Sequence, residues 1–424
     1  MPVIIYGHKS INMLISMLAC LISKRAYIPI DIETPIARIE EIIKITSANL
    51  VIKNEEIHIP NVDCYTLEEL VNFKNEKTRD NTNEIAYIIF TSGSTGKPKG
   101  VPISRDNLAN FINWISNLAP LSQYKHINVL NQASFSFDLS VADIYYSLYN
   151  GHTLIGLSKY SQEDYNEIFK IIKENNVNVG VMTPTFVKLC LLNKEFNEHN
   201  YPNLKCIYFC GEQLEVGVVK KLYLAFPNLK IINAYGPTEA TSAVSASLIT
   251  KEMLNKDILP AGDMNNLATE IVIEDNEIVL KGKSVFSGYL EGYTGGHFKE
   301  NNVNCYKTGD IGYIEEEKLY CKGRKDNQVK YKGYRIELND IENNIKRIKG
   351  VKECAVVAKR TETETVKAIK AFVVLEANFK VEQVKEELKK LLPTYMIPKI
   401  IKNVEKMPIN KNGKIDRRLL SEQW

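Results

Sequence analysis

Short apolar runs rich in branched and aromatic residues recur along the first half of the chain, at residues 87–90, 177–182, 206–210 and 229–232. Helix-length amphipathic stretches separate them. A fully buried strand is apolar on both faces and a crossover helix on only one stripe, so the alternation predicts parallel strands joined by helices. Residues 169–175 and 216–226 are the predicted crossovers around the strands at 177 and 229. Residues 11–23 (INMLISMLACLIS) follow Lys9 and have the apolar core of a signal peptide, but they are too short to span a bilayer. Lys24, Arg25 and a strand-like AYIPI at 26–30 come next, which predicts a buried helix leading into a strand.

Beyond about residue 260 the texture changes to short strands and turns at 270–273, 277–280, 306–312 and 318–321, as in antiparallel or barrel-like packing. From Asp326 a β-rich start, a helix near 338–347, strands near 354–358 and 368–375 and a helix at 381–392 predict a small α+β domain. The expected fold class is α/β: a large N-terminal body (residues 1–325) of parallel and mixed sheets with helices and a β-rich subdomain, then a small mobile C-terminal domain (residues 326–424). The run KVEQVKEELKK at 380–390 is the solvated face of the last of these helices.

Composition narrows the class of function. With 44% hydrophobic and 25% charged residues in 424, the chain has an ordinary globular balance, and a net charge of +3 gives no footprint for nucleic acid. Any anion must be bound locally. The eight cysteines form no CxxC pair and no zinc-ligand spacing, and read as reduced thiols of a cytoplasmic protein.

The strand at 87–90 runs into TSGSTGKPKG at 91–100, which holds four hydroxyl residues (Thr91, Ser92, Ser94, Thr95), three glycines (Gly93, Gly96, Gly100) and two lysines (Lys97, Lys99). Glycines let backbone N–H groups approach an anion, hydroxyls donate hydrogen bonds and lysines supply charge, so the composition predicts a phosphate loop, against the alternative of a polar surface turn. Its spacing is not that of the Walker A motif, and Pro98 stands where that motif has Ser or Thr.

TSGSTGKPKG resembles the signature loop of the adenylate-forming superfamily, which includes acyl-CoA synthetases and peptide-synthetase adenylation domains. Further segments follow that family's order: AYIPID at 26–31, FDLS at 137–140, NAYGPTE at 233–239, VFSGYL at 285–290, YKTGD at 306–310, GRKDNQVKYKGYRIE at 323–337, LPTYMIP at 392–398 and NKNGKIDR at 410–417. The resemblance implies ATP and Mg2+ as cofactors, with a nucleotide site built from residues 91–97, Gly211, Glu212, Asn233, Ala234, Tyr235, Gly236, Thr238, Asp310, Arg324 and Lys414. Tyr235 would stack on adenine, Thr238 and Arg324 contact phosphate, Glu239 hold Mg2+ and Asp310 take the ribose hydroxyls. Lys414 would reach both the substrate carboxylate and the α-phosphate, which makes Lys414, Thr238 and Glu239 the expected catalytic set. Asp326 resembles the hinge about which the small domain turns, bringing Lys414 to adenylation or the Gly333 loop to thiol transfer.

Asp138 in FDLS resembles the carboxylate that pairs with an α-ammonium group, which points to an amino acid; its local alternative is a helix N-cap. Within the superfamily the chain resembles ligases that load D-alanine onto a carrier protein for teichoic-acid modification, on NQASFSFDLS at 131–140, TPTF at 183–186, YFCGEQL at 208–214 and YGPTEATSAVS at 235–245. Leu139, Ala142, Cys210 and Ser242 are the expected side-chain pocket, with Cys210 setting chirality. Ala142 and Ser242 depart from that group's methionine and valine, which keeps serine, threonine, proline and L-alanine open as substrates of a freestanding peptide-synthetase-like domain. A catalytically silent nucleotide- or carrier-binding relative is the reading from another class. The expected acceptor is a separate phosphopantetheinyl carrier protein, since residues 418–424 leave no room for one. Members of the family have further sequence before the segment matching residues 3–7, so apolar surface is expected near the amino terminus.

Overall fold

The computed structural model describes residues 1–72, 84–93, 95–159, 161, 164–293, 295–331, 333–361, 366–410 and 415–423. Its first sheet contains β1 (Val3–Tyr6), β2 (Tyr27–Ile30), β3 (Leu50–Lys53), β4 (Asp63–Tyr65), β5 (Ile85–Thr91) and β6 (Lys99–Ser104), in the order β4-β3-β1-β2-β5-β6. All its pairings are parallel except β5 with β6. The second sheet holds β7 (Asn128–Asn131), β8 (Thr153–Gly156), β9 (Val179–Met182), β10 (Cys206–Phe209), β11 (Lys230–Tyr235) and β12 (Ser245–Ile249), in the order β12-β11-β10-β9-β7-β8. It too is parallel apart from one edge, β11 with β12.

The strands buried on both faces are the branched and aromatic runs read from the sequence, and the crossover helices form at Tyr165–Glu174 and Val216–Ala225. Helices Arg105–Asn117 and Leu139–Asn150 join the two sheets: Phe111 and Tyr145 share one core with Ile5 and Tyr27 of the first sheet and Val179 and Tyr208 of the second. Ile11–Ile22 is a helix leading into β2, capped by the Ser10 hydroxyl accepting from Met13 N. It buries Met13, Met17 and Cys20, while Ile11, Ile15 and Ile22 are exposed on its outer face.

The third sheet is antiparallel: β13 (Gly262–Asp263), β14 (Glu270–Glu274), β15 (Glu277–Lys281), β16 (His297–Glu300), β17 (Val303–Glu315) and β18 (Lys318–Arg324). After it come the hairpin β19 (Gln328–Tyr331) and β20 (Tyr334–Glu337), helix Leu338–Lys346, and a sheet of β21 (Val351–Arg360), β22 (Val366–Leu375) and β23 (Ile400–Asn403). Val329, Ile341, Val356, Val373 and Leu388 make a core of their own among residues 329–401. No helix among the described residues is long and apolar enough to cross a membrane.

Candidate active site

The glycine loop is the turn between two antiparallel strands, with Thr91 opposite Lys99. Lys99 and Gly100, read from the sequence as loop, therefore belong to β6. The turn is tight: a Cβ at Gly93 would lie 2.0 Å from the Lys97 carbonyl oxygen, and Gly96 has φ +84°. Thr91, Ser92, Gly93 and Gly96 are buried, whereas Thr95 and Lys97 are exposed; Ser94 lies outside the described residues.

Seven of the expected nucleotide residues line a single cleft: Gly211, Glu212, Asn233, Ala234, Tyr235, Asp310 and Arg324. Gly211 follows β10 and Asn233–Tyr235 end β11, so the cleft opens at the carboxyl ends of parallel strands, where open α/β sheets hold ligands. Asp310 is buried and accepts hydrogen bonds from Tyr235 Oη (2.8 Å) and Arg324 Nη1 (2.6 Å). Arg324 also forks onto Asp326, with Nε to Oδ1 at 2.8 Å and Nη2 to Oδ2 at 2.7 Å, so the expected hinge residue is tied to the cleft. Lys330 of β19 lies 5.7 Å from the centre of the Tyr235 ring, a cation on an aromatic face that the sequence did not single out.

Deeper in, Thr238 Oγ1 donates to Asp138 Oδ2 at 2.6 Å. Asp138 is the residue before helix Leu139–Asn150, yet its side chain makes no capping bond, so its local alternative as an N-cap falls away. Burial pushes its carboxyl up to about 6, with the nearby Glu239 charge adding to this and the Thr238 bond opposing it. Leu139, Ala142 and Cys210 sit in the same core cluster, and Cys210 Sγ donates to the Ser242 carbonyl at 3.8 Å. Ser242 has φ +69°, and its buried Oγ has no hydrogen-bond partner among the described residues; neither do the buried hydroxyls of Tyr87 and Tyr208. Burial pushes the Cys210 thiol up to about 12, so it is protonated and no nucleophile. Gly236 permits close packing of this wall: a Cβ there would meet Ala243 Cα at 2.5 Å.

Glu239 is fully buried, with Tyr289 Oη donating to one carboxylate oxygen and Arg335 Nη1 to the other. Burial works to raise its pKa, but the Arg335 charge and the Tyr289 bond prevail and hold it below the usual range. From the same segment Gly333 N donates to Glu212 Oε1 at 2.8 Å, and a Cβ at Gly333 would lie 2.7 Å from Thr183 Cγ2. Tyr334 packs on Phe137 with ring centres 5.6 Å apart and stacks on Tyr395 at 3.8 Å. The side of the C-terminal region that faces the cleft is thus the Gly333 side. Lys414 lies outside the described residues. Its neighbours Ile409 and Ile415 bridge each other, and Arg417 pairs with Glu342 at 2.9 Å on helix Leu338–Lys346.

Residues 1–290 match the model of the AMP-binding enzyme family, and residues 340–414 match that of the AMP-binding enzyme C-terminal domain. The chain belongs to the AMP-binding enzyme family. It is 38% identical to a D-alanine–D-alanyl carrier protein ligase of Listeria monocytogenes and to one of Bacillus licheniformis, each match covering the whole chain and 89% of the relative. Among solved structures it is similar to a Vibrio cholerae adenylation domain in complex with glycyl-adenosine-5′-phosphate, with a TM-score of 0.83 and 25% identity over all of this chain and 88% of the other. An o-succinylbenzoate CoA synthetase of Bacillus subtilis shares the fold alone, with a TM-score of 0.84 at 19% identity over 99% of this chain and 88% of that one.

For an AMP-binding enzyme, the donor set suits a magnesium ion carried on phosphate. Among the described residues no group of three or more His, Cys, Asp or Glu side chains converges, so no cage made of protein alone exists there. The buried Glu239 carboxylate already takes one cation, the Arg335 guanidinium, which marks it as a seat for positive charge. The sequence motifs assign no role to Arg335, Glu337 and Asp340. The first two fall inside the segment 323–337, but their partners Glu239 and Lys99, like the Gly93 partner of Asp340, are visible only in the folded chain.

Proposed function

We propose that the enzyme activates a small amino acid, D-alanine foremost, with ATP and Mg2+ as the aminoacyl-adenylate, then transfers it to the phosphopantetheine thiol of a carrier protein in the cytoplasm. The observation that carries this reading is the buried Asp138, a carboxylate without a capping role between the nucleotide cleft and the Cys210 wall. An α-ammonium group answers it, and a fatty acid leaves it unpaired.

In the first step a carboxylate oxygen of the amino acid attacks the α-phosphorus, and the bond to the bridging oxygen of pyrophosphate breaks. Gly93 N–H, Lys99 and Thr238 bind phosphate oxygens, while Asp310 and Tyr235 hold the nucleoside. Mg2+ on Glu239 would neutralise charge on the triphosphate. In the second step the thiol sulfur attacks the acyl carbonyl, the carbon–oxygen bond to AMP breaks, and AMP departs. The Gly333 loop against Glu212 and Phe137 supports the view that the present arrangement serves this second step. We place the domain boundary at 325/326, supported by the separate core of residues 329–401.

Amino-acid-dependent ATP–pyrophosphate exchange across D- and L-alanine, serine, threonine and proline tests the assignment, and D-alanine should dominate. A second reading, another small amino acid, draws on the small Ala142 and on the unpartnered hydroxyls of Ser242, Tyr87 and Tyr208, which favour a hydroxylated side chain. Preference for serine or threonine would select it.

Two variants probe the roles. Asp310→Ala is expected to raise the KM for ATP about 10- to 100-fold, the value of charge-assisted hydrogen bonds to a ribose, with a smaller change for the amino acid. Equal changes in both constants would remove Asp310 from the nucleotide site. Gly333 has φ +85° and no room for a methyl group, so Gly333→Ala should slow acyl transfer about tenfold or more while sparing exchange. Single-turnover transfer from preformed adenylate measures this, and undiminished transfer would contradict it.

A further inference from the structure

A histidine–aspartate pair lies apart from the nucleotide cleft. His8 follows β1 and Asp31 follows β2, its parallel neighbour, and His8 Nδ1 lies 2.7 Å from Asp31 Oδ2. Ser134 Oγ donates to the same oxygen at 2.5 Å, and Glu33 N donates to Asp31 Oδ1 at 3.2 Å. Burial works to raise the pKa of Asp31, but the bonds from His8, Ser134 and Glu33 N prevail and hold it below the usual carboxylate range. An ionised carboxylate can only accept, so the shared proton sits on Nδ1, and Nε2 of the neutral ring carries a lone pair. Nε2 is buried and has no hydrogen-bond partner among the described residues.

His8 shares a cavity of about 190 Å³ with Gln132, Ser134, Phe137, Thr183 and Tyr334. One water takes about 30 Å³, so several non-hydrogen atoms fit. Two walls of this cavity also touch the segments that hold the acyl group. A Cβ at Gly333 would lie 2.7 Å from Thr183 Cγ2 and 3.3 Å from Phe137 Cε1, and one at Gly211 would lie 3.2 Å from Phe137 Cζ. The cations near His8 are occupied: Lys9 Nζ donates to the Gln132 carbonyl at 2.8 Å, and Lys159 Nζ pairs with Glu33 at 3.2 Å. Burial pushes the Tyr334 hydroxyl far up, so it stays neutral. We propose that His8 is the base of the acyl-transfer step and that Asp31 is its positioning residue. This rests on the reading that the Gly333 loop serves acyl transfer.

As the thiol sulfur attacks the acyl carbonyl carbon, the S–H bond breaks and its proton passes to His8 Nε2. The carbon–sulfur bond forms, the carbon–oxygen bond to AMP breaks, and the electron pair leaves on the AMP phosphate oxygen. Asp31 faces the imidazolium so formed, which afterwards releases the proton to solvent. A free thiol has a pKa of about 8.5 and is only a few per cent thiolate at pH 7, so a positioned base raises the rate there by about 100- to 10,000-fold. A pair that merely ties β1 to β2 predicts something else: its loss would lower stability and both half-reactions together, and would leave the pH dependence of transfer unchanged.

The test uses the full chain and its His8→Ala, His8→Gln and Asp31→Asn variants, with single-turnover transfer from synthetic D-alanyl-adenylate to pantetheine followed from about pH 7 to about pH 8.5. His8→Ala and His8→Gln should each slow transfer about 100-fold or more at the lower pH. Their residual rate should climb about tenfold per pH unit with the thiolate fraction, while the native profile is flatter. Asp31→Asn, which frees the other tautomer, should slow transfer about tenfold or more. Free imidazole should return part of the rate to His8→Ala. Transfer within about threefold of native, a loss equal at every pH, or a matching loss of pyrophosphate exchange overturns the proposal. Should His8→Ala fail to fold, His8→Gln decides. A different preferred amino acid in exchange strikes D-alanine alone, since its own adenylate then serves in the transfer assay; a native enzyme that transfers nothing strikes His8 as well.

Discussion

Asp138→Asn is expected to lower kcat/KM for the amino acid by about 100- to 1,000-fold, the cost of removing one partner from a buried charge pair. The carboxyl is buried and its pKa is pushed up to about 6, chiefly by loss of solvent. Only its ionised form attracts an ammonium group, so kcat/KM of the native enzyme should climb about tenfold per pH unit below 6 and level off above it. The stability effect has the opposite sign. A folded-state pKa above the unfolded value contributes stability that is complete below the unfolded pKa and lost as pH rises through 6. At pH 8 the ionised, buried carboxylate thus costs on the order of 3 kcal/mol, and Asp138→Asn should melt at a higher temperature than the native enzyme. The Tm gap should shrink toward pH 4. A variant that loses activity and Tm together at pH 8 would show Asp138 to be a structural residue instead.

The sequence shows best what is local. Branched and aromatic runs marked the strands because burial on both faces requires them, and the strand before residue 91 placed the glycine loop correctly. The β6 strand was missed because Lys99 and Gly100 are poor strand formers, and pairing with β5 overrides their preference. Asp138 and Thr238 were each legible through their motifs, but their mutual hydrogen bond spans 100 residues and depends on two sheets meeting. Farther apart still are Arg38 and Asp340, separated by 302 positions, and no periodicity or spacing reports such a pair. The sequence assigned chemistry to single side chains; which end of the C-terminal region faces the cleft is a matter of packing.

That packing sharpens the expectation for Lys414→Ala. The flanks of residue 414 are engaged within the C-terminal region: Ile415 packs with Phe372 and Met407, and Arg417 holds Glu342. The cleft meanwhile is lined by Gln328, Val329 and Lys330 of the neighbouring hairpin, with Gly333 bonded to Glu212 and Arg335 to Glu239. If the first step needs the opposite face, Lys414 acts only after the region has turned, and its positive charge counts only while charge moves between the carboxylate and the α-phosphate. Lys414→Ala should then reduce amino-acid-dependent pyrophosphate exchange by about 100- to 1,000-fold, the range for losing one electrostatic stabiliser of a transition state. Transfer of a preformed aminoacyl-adenylate to pantetheine should stay within about twofold of native, because the interaction lost belongs to the other half-reaction. Equal loss in both assays would place Lys414 in a shared binding role and remove the need for the region to turn between steps.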